Sequence, residues 1–203
     1  MRKYLLTQIY FAGIFVSWGM VGTELEKMLA GELYDASDAV LVKMRAEARM
    51  LLARFNGLMA GSAGERRLVL GELLGRCSSI DIQPPFFCDY GKHVLIGANC
   101  FMNFNCVILD CSWVRIGDNV QFGPAVQVYT AYHPLVAAER IKGPELASPV
   151  EIGDNVWIGG GAIICPGVTI GSDTTIGAGS VVTRSIPGGV FAAGNPCRVI
   201  RKI

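Results

Sequence analysis

The chain has 203 residues, a formal net charge of +1 and a sequence pI of about 7.5, so no bulk field draws it toward nucleic acid or anionic lipid. This length suits one domain with a substantial hydrophobic core and a small appendage. The seven cysteines are an odd number and include no Cys-x-x-Cys pair. We therefore expect a reducing, cytoplasmic location without disulfides or a zinc site.

The first 19 residues place two basic residues before an apolar run of about the length of a secretion signal. Thr7 and Gln8 interrupt this run, which is also short for a membrane span, and no Ala-x-Ala cleavage site follows it. Met20 begins a stretch that reads as a natural start. We interpret residues 1–22 as an N-terminal extension, with a secretion signal or a membrane anchor in residues 1–19 as the alternative.

Residues 23–79 carry the apolar spacing of amphipathic helices. Thr23 and Glu26 have the spacing of a capping box at the start of a short first helix. Two further helices are predicted at about 38–55 and about 65–74. We expect these helices to form a cap over the open end of the β region that follows, where a sheet-like edge would otherwise be exposed.

The β region, residues 80–203, is organised by an aliphatic residue at every sixth position. In its clearest part these residues are Ile152, Ile158, Ile164, Ile170, Ile176 and Val182. A helix face would repeat at three and four and a strand at two, so this period predicts a parallel β-helix, a coil that turns a corner every six residues and stacks on itself. Glycines follow several of the aliphatic residues, which suits corners that need positive φ or have no room for a Cβ.

One interruption of the repeat stands out. The hexads are present from Ile96, but between Val128 and Ile152 four sixes lack the pattern although the register holds on both sides. We predict that a long loop, at about residues 130–150, leaves the coil here. Loops on a rigid scaffold often carry function, and this one contains His133.

His133 allows three interpretations: an ordinary surface histidine, a metal ligand or a general base. A catalytic zinc site needs about three imidazoles, and His93 is the only other histidine in the chain, which disfavours the metal. Histidine is the commonest general base because its pKa lies near neutrality, and it could take a proton from a substrate hydroxyl. The residues alone leave the surface and base interpretations open.

Several motifs occur in a specific order along the chain: K-M-L-A-G-E-L-Y-D in the helical part, then F-C-D-Y-G, N-F-N-C-V-I-L-D and Y-T-A-Y-H-P, and finally A-A-G-N-P-C-R-V-I-R-K-I. With these motifs, the chain from about Thr23 to its end resembles the maltose/galactoside O-acetyltransferase family of hexapeptide acyltransferases. The resemblance implies a homotrimer of left-handed parallel β-helices whose active sites lie between subunits and bind acetyl-CoA and an acceptor sugar. The left hand comes from the family alone, because the usual rule for parallel crossovers predicts a right hand.

The resemblance also implies roles for individual residues. His133 matches the base that deprotonates the acceptor hydroxyl, whose oxygen then attacks the acetyl thioester with no covalent enzyme intermediate and no metal. The residues matched to acetyl-CoA are Gly160, Ala178, Thr183, Arg184, Arg198 and Arg201. Guanidinium groups suit the phosphates of CoA, and a basic tail on the surface is the alternative for the last two.

The acceptor residues are assigned with different support. Asp89 and Asn103 match acceptor contacts, although Asn103 could instead be a corner residue in an asparagine ladder. Asp35 lies one residue out of register with such a contact. Cys111 stands where the galactoside branch has a second acidic residue, so Asp110 is expected to serve instead, or the acceptor differs. Glu145 is the expected partner of the imidazole.

Three functions are compatible with these observations. The leading one is acetyl-CoA-dependent O-acetylation of a sugar of the maltose, glucose or galactoside type. A second is acetylation of another hydroxylated acceptor, such as an antibiotic, an oligosaccharide or serine. The third is a trimeric, non-catalytic sugar-binding scaffold, which would need neither His133 nor the arginine-containing tail.

Overall fold

The structure is a computed structural model that describes residues 22–59 and 62–203. The interpretation of residues 1–19 lies outside these described residues. In the part of the chain that is described, no helix combines the length and the apolar character needed to cross a membrane. Three N-terminal helices pack against a long β coil, from which one hairpin projects.

The helices begin at polar N-caps where the sequence supplies them. They are α1 (Glu24–Ala30), α2 (Ala39–Asn56), α3 (Ala63–Leu73) and the single turn α4 (Ala137–Arg140). The capping box predicted at Thr23 and Glu26 is confirmed, since the Glu26 carboxylate accepts from the Thr23 amide at 2.7 Å. Helix α3 starts earlier than predicted because Ser62 and Glu65 form a second capping box, which the sequence analysis missed.

Short strands joined by turns make up the rest of the described chain. In chain order they are β1 (Arg76–Cys77), β2 (Ile80–Ile82), β3 (Phe86–Cys88), β4 (Val94–Ile96), β5 (Cys100–Met102), β6 (Cys106–Leu109), β7 (Val114–Ile116), β8 (Gln121–Phe122), β9 (Gln127–Tyr129), β10 (Ala131–Tyr132), β11 (Leu146–Ala147), β12 (Val150–Ile152), β13 (Trp157–Ile158), β14 (Ile163–Ile164), β15 (Thr169–Ile170), β16 (Thr175–Ile176), β17 (Val181–Val182), β18 (Val190–Ala193) and β19 (Arg198–Lys202).

Three parallel sheets form the three faces of the coil. Their strand orders are β1-β4-β7-β12-β15, β2-β5-β8-β13-β16-β18 and β3-β6-β9-β14-β17, and β19 closes the second sheet as an antiparallel edge. The register stacks equivalent positions of successive coils, so that Ile152 pairs with Ile116 on one side and with Ile170 on the other. The predicted parallel β-helix with an N-terminal helical cap is confirmed.

The aliphatic residues of the hexads fill the axis of the coil. Those of the clearest repeats are fully buried: Ile158, Ile164, Ile170, Ile176 and Val182 are each 0% exposed. Burying one such side chain stabilises the fold by about 1.5–3 kcal/mol, so each hexad contributes one unit of the core. The six-residue period is therefore a packing period.

The glycines after these aliphatic residues are required by the close approach of neighbouring coils. A Cβ on Gly159 would lie 2.5 Å from the amide nitrogen of Ala178. Positive φ falls two positions later in the hexad, at Asn155 with φ 58° and at Gly161 with φ 68°. Of the two reasons expected for the glycines, the absence of room for a Cβ is therefore the correct one at Gly159.

The coil has three corners, each lying where the strands of one sheet end and those of the next begin. The asparagine corner consists of residues 97–99, 117–119, 153–155 and 171–173. The glycine corner consists of residues 103–105, 123–125, 159–161 and 177–179. The hairpin corner consists of residues 89–91, 110–112, 165–167 and 183–185.

The predicted loop at about 130–150 leaves from the hairpin corner and is an antiparallel hairpin over residues 131–147. In it β10 pairs with β11, with Ala131 opposite Ala147 and Tyr132 opposite Leu146. The single turn α4 lies between these two strands. The coil register resumes at β12 directly after the hairpin.

The helical cap has two packing partners. Helices α2 and α3 close the end of the coil, where Phe55 and Leu70 join the buried cluster of the coil core. The Asn56 side chain reinforces this end by accepting from the Phe86 amide at 2.8 Å and donating to its carbonyl at 3.0 Å. Helix α1 instead contributes to a smaller cluster under the hairpin, made of Met28, Tyr34, Leu41, Tyr90, Cys111 and Ala147.

Candidate active site

The residues expected to act in catalysis lie on two of the three corners. His133, Asp89 and Asp110 belong to the hairpin corner, whereas Asn103 and Gly160 belong to the glycine corner. One sheet, β3-β6-β9-β14-β17, separates these corners. Strands advance about 3.3 Å per residue, so the corners are on the order of 15–20 Å apart within one chain.

His133 follows β10 directly and is exposed. Extending the β10–β11 register by one residue places His133 opposite Glu145. Residues directly opposite in an antiparallel pair have Cβ atoms about 4.5–5.5 Å apart. This register is consistent with Glu145 as the partner of the imidazole. No hydrogen bond or ion pair joins these two side chains in the structure, so their pairing stays a prediction.

Glu145 is held from its other side by the helical cap. The hydroxyl of Tyr34 donates to its Oε2 at 2.8 Å, and the two residues also exchange main-chain hydrogen bonds of 3.0 and 3.1 Å. Tyr34 is 1% exposed, and burial raises the pKa of its hydroxyl far above the usual range. The hydroxyl is thus protonated at neutral pH and can donate to Glu145.

Asp89 is the half-buried carboxylate of the hairpin corner. Burial raises the pKa of Asp89, and the Cys111 thiol, whose Sγ lies 3.5 Å from Oδ2, and the guanidinium of Arg45 oppose the shift. Arg45 itself donates to the Tyr90 hydroxyl at 2.7 Å and to the Ala36 carbonyl at 2.6 Å. The corner thus holds a carboxylate and a fixed guanidinium close together, a donor and acceptor set suited to hydroxyl groups.

Asp110 does not occupy the position that the sequence analysis expected. Its side chain is 0% exposed, so it lies out of reach of an acceptor. Its carboxylate accepts from the amides of Asp89, Tyr90 and His93 at 2.9–3.2 Å. Burial raises the pKa of Asp110 to about 7, although the amides of Tyr90, Gly91 and His93 oppose the shift. Asp110 therefore supports the chain segment that carries Asp89, and its assignment as an acceptor contact is corrected.

Asn103 lies on the glycine corner and is partly exposed. Its Oδ1 accepts from the Phe104 amide at 2.8 Å, which leaves the side-chain NH₂ available as a donor. The alternative of an asparagine ladder does not apply to it, because the ladder lies on the asparagine corner. There Asn119 donates to Asn155 at 2.9 Å, and Asn155 donates to Asp173 at 2.9 Å.

Asp35 lies in the turn between α1 and α2 and is exposed. Its Oδ1 accepts from both the amide and the hydroxyl of Ser37, at 2.8 and 2.7 Å, and these bonds lower its pKa. The turn borders a surface cavity of about 680 Å³ that is also lined by Arg45 and Lys142. Asp35 is therefore close to the hairpin, with part of its hydrogen-bonding capacity already used.

Gly160 and Ala178 stack in successive coils of the glycine corner, where Gly179 donates to the Gly160 carbonyl at 2.9 Å. A Cβ on Gly160 would lie 3.1 Å from Pro124 of the coil below. Packing within the chain is therefore tight at this position and favours glycine. Ala178 is exposed and presents a small side chain at the same edge.

The remaining residues expected to bind acetyl-CoA lie on the last coils and are exposed: Thr183, Arg184, Arg198 and Arg201. The guanidinium of Arg198 donates to the Cys197 carbonyl at 2.8 Å, and that of Arg201 lies 5.9 Å from the Phe191 ring centroid. These contacts fix part of each side chain and leave further N–H groups free to meet phosphate oxygens.

His93 has a structural environment. It is 4% exposed, its Nδ1 lies 2.7 Å from the Asp110 carbonyl oxygen, and its ring packs against Tyr90 and Trp113. Burial lowers its pKa. Across residues 22–59 and 62–203, no group of three or more His, Cys, Asp or Glu side chains could hold a metal ion.

Two residues of the candidate site, Arg45 and Tyr34, were not predicted from the sequence. Arg45 follows Leu41 by one helical turn and so lies on the apolar stripe of α2, where a charge needs a partner; that signal could have found it. Tyr34 carried no such signal, because its contact with Glu145 joins residues 111 positions apart.

Comparison with known proteins agrees with this architecture. The family described as maltose acetyltransferase hexapeptide capping motif matches residues 27–78, and bacterial transferase hexapeptide (six repeats) matches residues 149–184. Nodulation protein L of Rhizobium meliloti is 52% identical over 89% of this chain and 99% of its own length.

Two solved structures are similar over nearly their whole length. A maltose O-acetyltransferase from Clostridium difficile 630 has a TM-score of 0.88 at 50% identity, covering 90% of this chain and 98% of that one. A galactoside acetyltransferase in complex with coenzyme A has a TM-score of 0.84 at 38% identity, covering 90% and 92%. The chain therefore belongs to the maltose/galactoside O-acetyltransferase family of hexapeptide-repeat acyltransferases.

Proposed function

We propose that the protein transfers the acetyl group of acetyl-CoA to a hydroxyl of a sugar of the maltose, glucose or galactoside type, with His133 as general base. The observation that carries this proposal is the hairpin itself. It is the single excursion from the described coil. Continuing its register by one residue puts the exposed His133 across the strand pair from Glu145, near the corner that holds Asp89. A non-catalytic scaffold has no need of this arrangement.

In the proposed reaction, the imidazole of His133 removes the proton of the acceptor hydroxyl as its oxygen attacks the acetyl carbonyl carbon. The C=O electron pair moves to oxygen, and nearby N–H donors stabilise the resulting oxyanion. When the C=O bond re-forms, the C–S bond breaks, and the proton held by His133 passes to the departing CoA sulfur. Glu145 keeps the imidazole oriented and stabilises its protonated form.

The acceptor would be held by Asp89 of one copy of the chain and Asn103 of a neighbouring copy, with Asp35 and Glu145 at the rim. A half-buried carboxylate such as Asp89 accepts from sugar hydroxyls, and the Asn103 amide donates to them. Holding the hydroxyl and the thioester together supplies much of the rate enhancement, because it removes the entropy of their encounter.

Acetyl-CoA would lie along the later coils. Gly160 and Ala178 give its pantetheine arm a smooth edge, Thr183 and Arg184 flank it, and Arg198 and Arg201 meet the phosphates, which guanidinium groups bind well. The acetyl donor follows from the chemistry of the relatives, one an O-acetyltransferase and the other bound to coenzyme A.

We infer a homotrimer whose active sites are completed between copies. The support is the separation of the two corners. His133 and Asp89 on one side and Asn103 and Gly160 on the other lie too far apart in one chain to meet at one acetyl group. Light scattering should give three times the 21.8 kDa mass of the chain. A monomer with full activity would overturn this inference. A cytoplasmic location likewise remains our proposal.

A second acceptor class is favoured by Cys111. This residue stands where the galactoside branch has an acid, and in the structure it is 5% exposed and bound to Asp89. The site then has one carboxylate fewer than a galactoside enzyme, which fits another hydroxylated acceptor such as an oligosaccharide, an antibiotic or serine.

The test is thiol release from acetyl-CoA with a panel of maltose, glucose, galactosides, chitooligosaccharides, chloramphenicol and serine. Replacing His133 with Ala should lower kcat by about 10²–10⁴-fold, the usual contribution of a general base, at an unchanged melting temperature. Leu135→Ala, in the same hairpin and 94% exposed, is the matched control. Normal turnover by the His133→Ala variant would end the base assignment, and release with serine or chloramphenicol alone would end the sugar assignment.

A further inference from the structure

One residue of the helical cap, Tyr34, is hydrogen-bonded to the hairpin. Tyr34 lies between α1 and α2, and it binds Glu145 three times: its amide donates to the Glu145 carbonyl at 3.1 Å, its carbonyl accepts from the Glu145 amide at 3.0 Å, and its hydroxyl donates to Oε2 at 2.8 Å. These bonds form an isolated antiparallel bridge, so Tyr34 acts as a third strand at the edge of the hairpin. Main chain and side chain of Glu145 are fixed together.

The strand register aligns the side chains of Tyr34, Glu145 and His133 in one row across the hairpin. Directly opposite residues of antiparallel strands share a face, which puts the side chains of Tyr34 and Glu145 on the same side. Continuing the register of β10 and β11 adds His133 opposite Glu145. Ala131 and Ala147, two residues back on that face, pack in the same cluster as Tyr34, which identifies the face as the one turned toward the cap.

The hydroxyl of Tyr34 is suited to orient a carboxylate. Since burial holds its pKa far above the usual range, Tyr34 stays protonated and remains a donor to Glu145. The cluster of Met28, Leu41 and Tyr90 encloses the Tyr34 ring, so the donor cannot swing away. A carboxylate held at one oxygen by a fixed donor presents the other oxygen in a defined direction.

We infer that Tyr34 is a positioning residue for acetyl transfer, which sets Glu145 and thereby the orientation of the His133 imidazole. The inference rests on the proposed role of His133. It assigns the helical cap a part in catalysis in addition to closing the coil, because the cap supplies the fixed point from which the catalytic hairpin is aligned.

The test is Tyr34→Phe, which keeps the ring and the main-chain bridge and removes only the hydroxyl. We expect kcat to fall about ten- to hundred-fold, as for a small misplacement of a reacting group, with the KM for acetyl-CoA unchanged. The acid limb of the kcat pH profile should also move to lower pH, because Glu145 no longer stabilises the protonated imidazole as well.

Tyr132→Phe is the matched control. Tyr132 is on the opposite face of the same hairpin, 39% exposed, with its hydroxyl 3.2 Å from the Ser148 Oγ. This variant loses one hydroxyl contact of the hairpin without touching the row, so its kcat and pH profile should equal those of the wild type. An equal loss in both variants would show a structural effect only and would overturn the inference.

A double-mutant cycle asks whether Tyr34 acts through Glu145. If it does, Tyr34→Phe combined with Glu145→Gln loses no more kcat than Glu145→Gln alone. Additive losses would contradict the inference. If Tyr34→Phe folds poorly, two variants that leave Tyr34 intact can replace it. Glu145→Gln keeps an acceptor for the Tyr34 hydroxyl and Glu145→Leu does not, so the Gln variant should have the higher kcat. Equal kcat values would overturn the inference.

The outcome for His133 separates this inference from the function on which it rests. An active His133→Ala variant removes the proposed function and the inference with it. An inactive His133→Ala variant beside a Tyr34→Phe variant with wild-type kcat and pH profile removes the positioning role alone.

Discussion

The coil and the hairpin of this protein are ordered by different means. Each inner coil strand pairs with equivalents above and below it, and its hexad side chain is buried in a continuous core. The hairpin, residues 131–147, has two strands of two residues, and its tip carries Leu135 at 94% and Ile141 at 82% exposure. The hairpin is held by the smaller cluster beneath it, to which α1 contributes, and by the hydrogen bonds between Glu145 and Tyr34.

This difference explains why the residues that stabilise the fold and the residues proposed for the site lie in different parts of the molecule. A repeated structure is stable because each unit is supported by its neighbours, but that same regularity leaves little room for a special geometry. The hairpin departs from the repeat, so its geometry depends on contacts from elsewhere in the chain. In our proposal the chemistry lies on the hairpin, and the cap supports it.

The largest expected effect lies in the coil core. Ile158→Ala should lower the free energy of unfolding by about 2–5 kcal/mol, because it removes a fully buried side chain from a column that cannot collapse. Leu135→Ala, an aliphatic truncation at the hairpin tip, should change it by less than about 0.5 kcal/mol. Chemical denaturation of both variants checks this contrast, and similar losses would show that the hairpin is as integral to the core as the coil.

The next effect lies beneath the hairpin corner. Asp110→Ala leaves three backbone amides, two of them buried, without their acceptor and should cost about 1–3 kcal/mol of stability. Asp118→Ala is the control, since its carboxylate accepts from the Ala98 amide at an exposed corner where water can substitute. Thermal unfolding measures both, and an equal cost would refute the supporting role of Asp110.

A smaller effect concerns the acceptor. Asp89→Asn keeps the shape of the side chain but removes a charged acceptor, so the KM for the sugar should rise about tenfold, or about 1.4 kcal/mol, with the KM for acetyl-CoA unchanged. Glu151→Gln, an exposed coil residue paired with Arg115 at 3.7 Å, should leave both constants unchanged. Steady-state kinetics measure both KM values. A change in the KM for acetyl-CoA alone would show that Asp89 contacts the cofactor instead of the acceptor.

The smallest effect compares the two helix caps. Thr23→Ala and Ser62→Ala each remove a capping box and should each cost about 1 kcal/mol of stability. Because α1 packs under the hairpin and α3 against the coil, only Thr23→Ala should also lower kcat and speed hydrogen exchange at the Glu145 amide. Equal exchange in the two variants would mean that α1 does not support the hairpin.

Local patterns allowed most of the fold to be predicted. The hexads indicated the coil, the capping box indicated α1, and the loss of pattern after Val128 indicated the excursion that carries His133. The start of α3 was placed late because Ser62 and Glu65 were not recognised as a cap. All of these features are local, since each depends on spacing within a few residues or on a strict repeat.

The site was less accessible to prediction. Asp110 was expected to face an acceptor because it stands next to Cys111 in a matched motif, but adjacent residues at a corner can point inward or outward, and its carboxylate is buried on three amides. Asn103 could be matched by motif, yet its distance from Asp89 depends on which corner each residue occupies.

By itself, the sequence determined the coil, its helical cap and the place where the chain leaves the repeat. An aliphatic residue at every sixth position is a property of the chain, and the packing that satisfies it is the stacked coil. The tertiary structure alone decided which side chains meet. The contact of Tyr34 with Glu145 spans 111 residues, and the opposition of Glu145 and His133 depends on the register of two short strands. Such contacts follow from folding the coil, the hairpin and the cap together, and no local spacing encodes them.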